Sequence, residues 1–158
     1  MIKYIKAVSR TMAERVSSEL KIPHIIISIT DPDQELADLC YNPFCVRILR
    51  LQFYDIDIDR LKRNTKYSDS WLEPYEGGLF TETQAEQIID FVETYKDKIE
   101  FILIHCEIGI SRSAGVAAAL SKIYLGEDSS YFKRSFRFVP NMLVYRSILN
   151  VAYKGGII

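Results

Sequence analysis

Two kinds of hydrophobic pattern alternate along this chain. Short apolar runs rich in β-branched residues predict buried strands, and they lie at 24–29, 46–53 and 100–104. Apolar residues at helical spacing, or in an alanine-rich run, predict helices over 12–20, 85–99, 114–125 and 142–153. Strands alternating with helices predict an α/β fold: one layered domain with a central, mainly parallel sheet of about four to five strands flanked by helices.

Local signals mark the ends of these helices. Thr11–Glu14 and Thr81–Gln84 both have the spacing of a capping box, which predicts helix starts at these positions. Pro23 predicts the end of the first helix, since proline cannot continue the hydrogen-bond ladder. Gly126 is a good C-cap residue and predicts the end of the alanine-rich helix.

Composition bounds the function. A chain of 158 residues suits a single domain over 1–158, and a net charge of −1 gives no electrostatic reason to expect nucleic-acid or membrane binding. No apolar stretch approaches the ~20 residues that span a bilayer. The first six residues lack the apolar core of a signal peptide. We therefore expect a cytoplasmic protein, with a monomer as the default assembly.

Three cysteines, Cys40, Cys45 and Cys106, cannot all pair within one chain. Cys40 and Cys45 have no nearby histidine that would complete a zinc site, so we expect two buried thiols that behave as small apolar residues. A reducing compartment suits all three and would keep Cys106 available as a thiolate.

The segment His105–Ser113, with the sequence HCEIGISRS, indicates the chemistry of the chain. Five residues, Gly109 among them, separate Cys106 from Arg112, and the hydroxyl residue Ser113 follows the arginine. A predicted strand precedes the segment and a predicted helix follows it. Strand, loop and helix N-terminus together can cradle a phosphate with backbone N–H groups. A thiol in such a loop is a candidate nucleophile for phosphoryl transfer.

Each residue type in the segment suits this chemistry. A helix N-terminus, backbone N–H groups and a guanidinium all favour the thiolate of Cys106, and the planar fork of Arg112 can bind two phosphate oxygens. Gly109 allows the loop amides to turn inward, and Ser113 can donate a hydrogen bond to the sulfur. His105 either orients and tunes Cys106 or is a core histidine with satisfied hydrogen bonds. The predicted phosphate-binding positions are Glu107, Ile108, Gly109, Ile110, Ser111 and Arg112.

The segment resembles the Cys-x5-Arg signature of cysteine-dependent protein tyrosine phosphatases, most closely the compact dual-specificity branch. Pro140–Asn141, followed by an apolar helix, is similar to the element that often follows the signature helix in that branch, which marks Asn141 as a supporting residue. The resemblance extends from Ile25 to about Leu149. It implies a phosphotyrosine-phosphatase-like fold and a reaction that needs no metal and no cofactor.

Two departures from the family pattern bear on the substrate. Ile108 occupies a position where alanine is common, and Glu107 adds negative charge to a loop that contains no lysine. Phosphatases of highly phosphorylated inositol lipids tend to carry basic residues in this loop. We therefore expect that substrate class to be disfavoured.

The leaving oxygen needs a proton donor, which in the resembled family is an aspartate on a loop after an upstream strand. The predicted strand at 46–53 is followed by Asp55, Asp57 and Asp59. Asp55 matches the family position best, Asp57 is the second candidate and Asp59 the third. A calcium loop does not fit, because its glycine and glutamate positions are occupied by Arg60 and Lys66.

A long polar stretch, Arg60 to Gly78, follows the aspartates and contains four basic and three aromatic residues: Arg60, Lys62, Arg63, Lys66, Tyr67, Trp71 and Tyr75. Long loops in compact domains are usually functional or disordered. One hypothesis is that this stretch forms a wall of the substrate entrance and favours anionic substrates. A solvated loop without such a role is the alternative.

These observations predict a metal-independent phosphomonoester hydrolase that forms a cysteinyl-phosphate intermediate. The expected substrate is a phosphorylated protein or peptide, as for a tyrosine or dual-specificity phosphatase. Catalysis would rest on Cys106, Arg112, Asp55 and Ser113. The alternatives are a phosphatase of RNA 5′-phosphates or lipid phosphates, and a phosphate-binding interaction module without turnover.

Overall fold

A computed structural model describes residues 1–133 and 137–158 of the chain. Four strands form one sheet, in the spatial order β1-β4-β2-β3, and all the paired strands are parallel. Their bounds are β1 Tyr4–Ser9, β2 His24–Thr30, β3 Cys45–Gln52 and β4 Phe101–Cys106. The predicted α/β fold with a parallel sheet is confirmed.

Strand β1 is the one that the hydrophobic pattern did not predict. Its side chains alternate between exposed and buried positions in the first four residues, because β1 lies at an edge of the sheet and Lys6 faces outward. The inner strand β2 is buried at all seven positions, which explains why its sequence is a continuous apolar run.

Five α-helices connect and cover the strands in the described part of the chain: α1 Arg10–Val16, α2 Ile58–Lys62, α3 Glu82–Tyr95, α4 Arg112–Leu125 and α5 Met142–Lys154. Short 3-10 helices cover Asp69–Tyr75, Lys96–Lys98 and Ser129–Tyr131. Residues 134–136 lie outside the described residues.

The helix ends test the predicted capping signals. Thr81 and Gln84 form the expected capping box at the start of α3, and Gly126 ends α4 with a φ of +74°. The prediction for the first helix was wrong. Ser9, not Thr11, caps α1, because its side chain accepts the N–H of Met12 at 3.2 Å where β1 turns directly into the helix.

Two hydrophobic layers cover the sheet. Helices α3, α4 and α5 pack on one face over alternate strand residues such as Ile27, Ile29 and Ile104. Helix α1 and the segment around Leu39 cover the other face over Ile26 and Leu103. Ten consecutive residues of α4, Arg112 to Ser121, are buried, so the N-terminus of this helix is fixed against the centre of the sheet.

Cys40 and Cys45 are less buried than expected. Cys40 is exposed and Cys45 partly buried, so the prediction of two buried thiols was wrong. Cys40 lies in the loop between β2 and β3, where its backbone N–H donates to the Ser17 hydroxyl at 3.0 Å and its side chain faces solvent.

Among residues 1–133 and 137–158, no helix is long and apolar enough to cross a membrane.

Candidate active site

Cys106 ends the strand β4 and Arg112 begins the helix α4, so the intervening loop 107–111 lies at the carboxyl edge of the sheet. The neighbouring parallel strands β2 and β3 end at the same edge, which brings Asp31 and Asp55 close to the loop. Cys106 is only 3% exposed. Its thiol therefore lies at the bottom of a cavity that the loop and these strand ends enclose.

The carbonyl groups of the loop point away from its centre. The Glu107 carbonyl accepts the N–H of Arg10 at 3.2 Å, and the Ile110 carbonyl accepts that of Val139 at 3.0 Å. The Ser111 carbonyl accepts two N–H groups, from residues 115 and 141, at 2.8 and 3.0 Å. Because C=O and N–H point in opposite directions across a trans peptide, the N–H groups of 108, 111 and 112 face inward. These N–H groups have the orientation that the predicted anion-binding cradle requires.

Gly109 is required in this loop for two physical reasons. Its φ is +82°, which is unfavourable for residues with a β-carbon. A β-carbon here would also come within 2.5 Å of the Ser9 backbone nitrogen and closer still to the Val8 carbonyl carbon. The loop therefore packs directly on the end of β1.

Two donors approach the sulfur of Cys106. The N–H of Gly109 donates to Sγ at 3.2 Å, and the Ser113 hydroxyl lies 3.1 Å from it. Both groups can donate to a thiolate, which stabilises a negative charge on sulfur. Ser113 thus occupies the position that its predicted role requires.

Arg112 is held rigidly beside the cradle. Its Nη1 donates to the Asp31 carboxylate at 2.5 Å and to the Phe53 carbonyl at 2.8 Å, and the residue is buried. Its Nε is buried without a partner among the described residues. Since Nη1 is occupied, Nε and Nη2 remain as the pair that can bind two oxygens of a phosphate.

Asp31 is the site residue that sequence reasoning missed. Asp31 is followed by Pro32, a pair that is typical of a turn and gives no sign of a role in the site. Asp31 follows strand β2, which pairs with β4, so its carboxylate reaches the arginine that follows the Cys106 loop. The available signal was the parallel pairing of the two strands, since parallel neighbours end at the same edge of a sheet.

Asp55, the predicted general acid, lines the cavity above Cys106. Its Oδ1 accepts the Ser111 hydroxyl at 2.8 Å and the Asn141 side-chain amide at 2.9 Å. Asn141 also caps α5 by accepting the Val144 N–H at 3.2 Å. Oδ1 is fixed in this way, and Oδ2 makes no hydrogen bond to any residue in the described part of the chain.

The other two aspartates make different contacts. Asp57 caps α2, where its carboxylate accepts the N–H of Arg60 at 3.2 Å. Asp59 forms an ion pair with Arg146 at 3.1 Å. Neither lines the cavity that contains Cys106, so the geometry favours Asp55 among the three candidates.

His105 is buried and joins β4 to β2. Its Nε2 lies 2.6 Å from the Ser28 hydroxyl and its Nδ1 lies 3.2 Å from the Cys106 carbonyl. Burial lowers the pKa of His105 to about 4, so the ring is neutral at physiological pH. These contacts fit the interpretation of a core histidine with satisfied hydrogen bonds, and the role of His105 in orienting or tuning Cys106 stays a prediction.

Two predicted phosphate-binding residues turn their side chains away from the cradle. Ile108 is 70% exposed, and Glu107 faces Arg10, with 3.8 Å between the charged groups. The prediction that these two residues bind phosphate can therefore concern only their backbone. The Ser111 hydroxyl is also directed elsewhere, to Asp55.

The cavity above Cys106 has a volume of about 480 Å³. Two aromatic residues, Tyr54 and Tyr75, line it, and their rings pack edge to face with 5.1 Å between centroids. Tyr75 belongs to the long stretch 60–78, so this stretch does border the site. Trp71 of the same stretch packs on Tyr67 instead.

No family model matches this sequence, and no curated protein matches it. Solved structures do match. PTPMT1 is 16% identical with a TM-score of 0.55, covering 98% of this chain and 94% of its own. The Yvh1 phosphatase domain from Chaetomium thermophilum is 17% identical with a TM-score of 0.54, covering 99% and 93%.

A third similar structure is the human tyrosine phosphatase-like serine/threonine/tyrosine-interacting protein. It is 19% identical with a TM-score of 0.51, and the match covers 96% of this chain and 91% of that one. At these identities the likeness concerns the fold, and it extends over nearly the whole length of each protein. The chain therefore has the fold of these tyrosine phosphatases and phosphatase-like proteins.

Proposed function

We propose that this chain, as a single domain over residues 1–158, is a phosphomonoester hydrolase that acts through a cysteinyl-phosphate intermediate. The observation that carries the proposal is the thiol of Cys106 within a loop whose amides turn inward, with Arg112 beside it. The fold shared with phosphatases supports the proposal but does not carry it.

In the first step, the Cys106 thiolate attacks phosphorus. The S–P bond forms while the bond from phosphorus to the leaving oxygen breaks. Asp55 donates the proton on Oδ2 to that oxygen, so the product leaves as a neutral alcohol or phenol. Inward-facing amides and the Nε and Nη2 groups of Arg112 bind the three non-bridging oxygens, over which the charge of the transition state is spread.

In the second step, water attacks the cysteinyl-phosphate. The ionised Asp55 accepts a proton from the water, an O–P bond forms and the S–P bond breaks. The leaving thiolate of Cys106 receives a hydrogen bond from Ser113, which lies 3.1 Å from the sulfur. Inorganic phosphate and the starting protonation states are regenerated. Arg112 and the backbone N–H groups supply the positive charge for both steps, so the proposed reaction needs no metal ion.

The proposed substrate is a phosphorylated protein or peptide. Tyr54 and Tyr75 give the cavity above Cys106 an aromatic wall that suits the ring of phosphotyrosine. Dual specificity remains part of the proposal, since a cavity of about 480 Å³ also admits the smaller phosphoserine and phosphothreonine side chains.

Hydrolysis of para-nitrophenyl phosphate in the presence of a chelator tests the mechanism. Replacement Cys106→Ser removes the nucleophile, and we expect kcat to fall by roughly 10⁴-fold or more. Cys45→Ser is the matched control, because Cys45 lies at the start of β3 and does not line the cavity. Turnover that survives Cys106→Ser would rule out the cysteinyl-phosphate.

Two of the similar structures suggest what else the fold can do. PTPMT1 has been solved in complex with PI(5)P, and the human protein is described as an interacting protein. A lipid phosphatase would prefer phosphoinositides over phosphopeptides in a substrate panel. An interaction module would bind phosphopeptides without releasing phosphate. We favour turnover over binding alone, because the nucleophile, the arginine and the acid are all present here. We favour a peptide over a phosphoinositide, because the loop contains Glu107 and no lysine.

A further inference from the structure

A second cavity, of about 660 Å³, adjoins the cavity above Cys106. The two share Asp55, Ile56 and Ser111 as lining residues, so they are neighbours on either side of the proposed acid. Three arginines, Arg60, Arg63 and Arg146, line the second cavity, together with two carboxylate residues, Asp55 and Asp57. We call it the arginine cavity.

The arginines differ in how far their charge is already neutralised. Arg146 pairs with Asp59 at 3.1 Å and lies 4.0 Å from Asp57. The guanidinium groups of Arg60 and Arg63 make no ion pair or hydrogen bond to any described residue, and both residues are exposed. Two unneutralised cations therefore face a cavity beside the nucleophile.

The cavity above Cys106 has the opposite balance of charge. Its lining includes the carboxylate residues Asp31 and Asp55 and one cation, Arg112, which pairs with Asp31 and is the group proposed to bind the reacting phosphate. A second negative group on a substrate would be repelled on this side of Asp55. On the other side, Arg60 and Arg63 would attract it.

We propose that the arginine cavity is a subsite for a second anionic group, phosphate or carboxylate, on the phosphopeptide whose phosphate reacts at Cys106. This proposal rests on the proposed function. Alongside its arginines the cavity presents the apolar side chains Ile56, Leu61, Val139 and Met142. That mixture suits an amino-acid residue with an acidic end better than it suits a highly charged headgroup.

The test compares phosphotyrosine peptides that are identical except for a second phosphoserine or a glutamate placed one to four residues from the tyrosine, on either side. For the best spacing we expect kcat/KM to rise roughly tenfold over the neutral peptide, because the free energy of one hydrogen bond to a charged group corresponds to about a tenfold change. The gain should shrink at high salt, because both arginines are exposed.

Variants of the arginine cavity test whether the gain in kcat/KM depends on Arg60 and Arg63. The double replacement Arg60→Gln/Arg63→Gln should bring the ratio of kcat/KM between doubly and singly anionic peptides close to one. Lys62→Gln is the matched control. Lys62 lies in α2 between the two arginines and does not line the cavity, so the ratio should stay at its wild-type value.

Binding to the Cys106→Ser variant, measured by calorimetry, separates the subsite from turnover. A tighter Kd for the doubly anionic peptide that is lost in the arginine double variant supports the subsite even if no hydrolysis is seen. Equal Kd values for both peptides overturn it, even if hydrolysis is fast. Tighter binding of a soluble inositol bisphosphate than of any peptide would overturn the assignment to a peptide.

Discussion

The two halves of the proposed site are held in place by different means. The cradle, residues 106–112, is fixed by backbone hydrogen bonds and by the packing of Gly109 on β1. The acid segment, residues 54–59, is more exposed, and its Asp55 is fixed by side chains from two other elements, Ser111 and Asn141. The nucleophile is therefore positioned by main-chain geometry and the acid by side-chain contacts.

This difference implies two kinds of sensitivity to mutation. A change that disturbs the cradle disturbs the nucleophile, the loop amides and the start of α4 at once. A change to the side chains that hold Asp55 alters its orientation and leaves the backbone of the cradle intact, even for Ser111, which contributes its side chain from the cradle itself. The first kind should affect stability and activity together, and the second should affect mainly the steps that move a proton.

Among the changes that keep every reacting side chain, Gly109→Ala should have the largest effect. An added β-carbon meets the backbone of Val8 and Ser9 at a φ of +82°, so neither the side chain nor the loop can relax without moving β1. We expect a loss of stability on the order of 3 kcal/mol or more and a fall in kcat/KM of at least roughly 100-fold. Urea unfolding and aryl phosphate hydrolysis measure the two effects.

Gly126→Ala is the control for backbone conformation alone. Gly126 also has a positive φ, +74°, but a β-carbon there would meet no other atom within 4 Å. We expect a loss of about 1 kcal/mol from the unfavourable backbone and unchanged activity. Equal effects of the two replacements would show that the contact with β1 does not hold the cradle.

The same contrast explains which parts of the site the sequence could predict. The cradle is contiguous, so Cys106, Gly109 and Arg112 could be recognised from spacing and from the flanking strand and helix. The loop amides followed from the same pattern. Strand β1 escaped detection because an edge strand of six residues with Lys6 in its middle has no continuous apolar pattern.

Contacts between segments that are distant in the sequence could not be predicted. The carboxylate of Asp31 meets Arg112, which is 81 residues away, and the amide of Asn141 meets Asp55, which is 86 residues away. Both contacts depend on the order of strands in the sheet and on where α5 begins. Sequence patterns predict the elements but only weakly predict such pairings.

Asn141→Asp should have the next largest effect. An aspartate still caps α5, but it removes the amide that donates to Asp55 and places two carboxylates side by side. We expect kcat for phenyl phosphate, a poor leaving group, to fall by roughly 100-fold. For para-nitrophenyl phosphate, whose leaving group needs less protonation, the fall should be much smaller.

Ser111→Ala removes the other donor to Asp55 without adding charge, so the same pattern should appear with a smaller amplitude. Thermal unfolding accompanies both assays, because each variant is expected to keep its fold. If both aryl phosphates slow by the same factor, the side chains of 111 and 141 do not act through the acid, and Asp57 becomes the candidate to replace next.

The smallest expected effect is the contribution of the buried His105 to the pH dependence of stability. Burial lowers the pKa of His105 from its ordinary 6.5 to about 4 in the folded protein. The unfolded chain therefore binds a proton here between pH 6.5 and pH 4 while the folded chain does not, so this group destabilises the fold as the pH falls through that window. We expect it to account for about 2 kcal/mol of the stability lost between pH 7 and pH 5.

Replacement His105→Asn should remove that part of the pH dependence, as measured by urea unfolding at a series of pH values. Ser28→Ala is the comparison variant, because it deletes the hydroxyl 2.6 Å from Nε2 and leaves the buried ring in place. It should lower stability by about 1 kcal/mol at every pH and keep the slope. A wild-type slope that persists in His105→Asn would assign the pH dependence to other groups, among them the second buried histidine, His24, whose pKa is also lowered by burial.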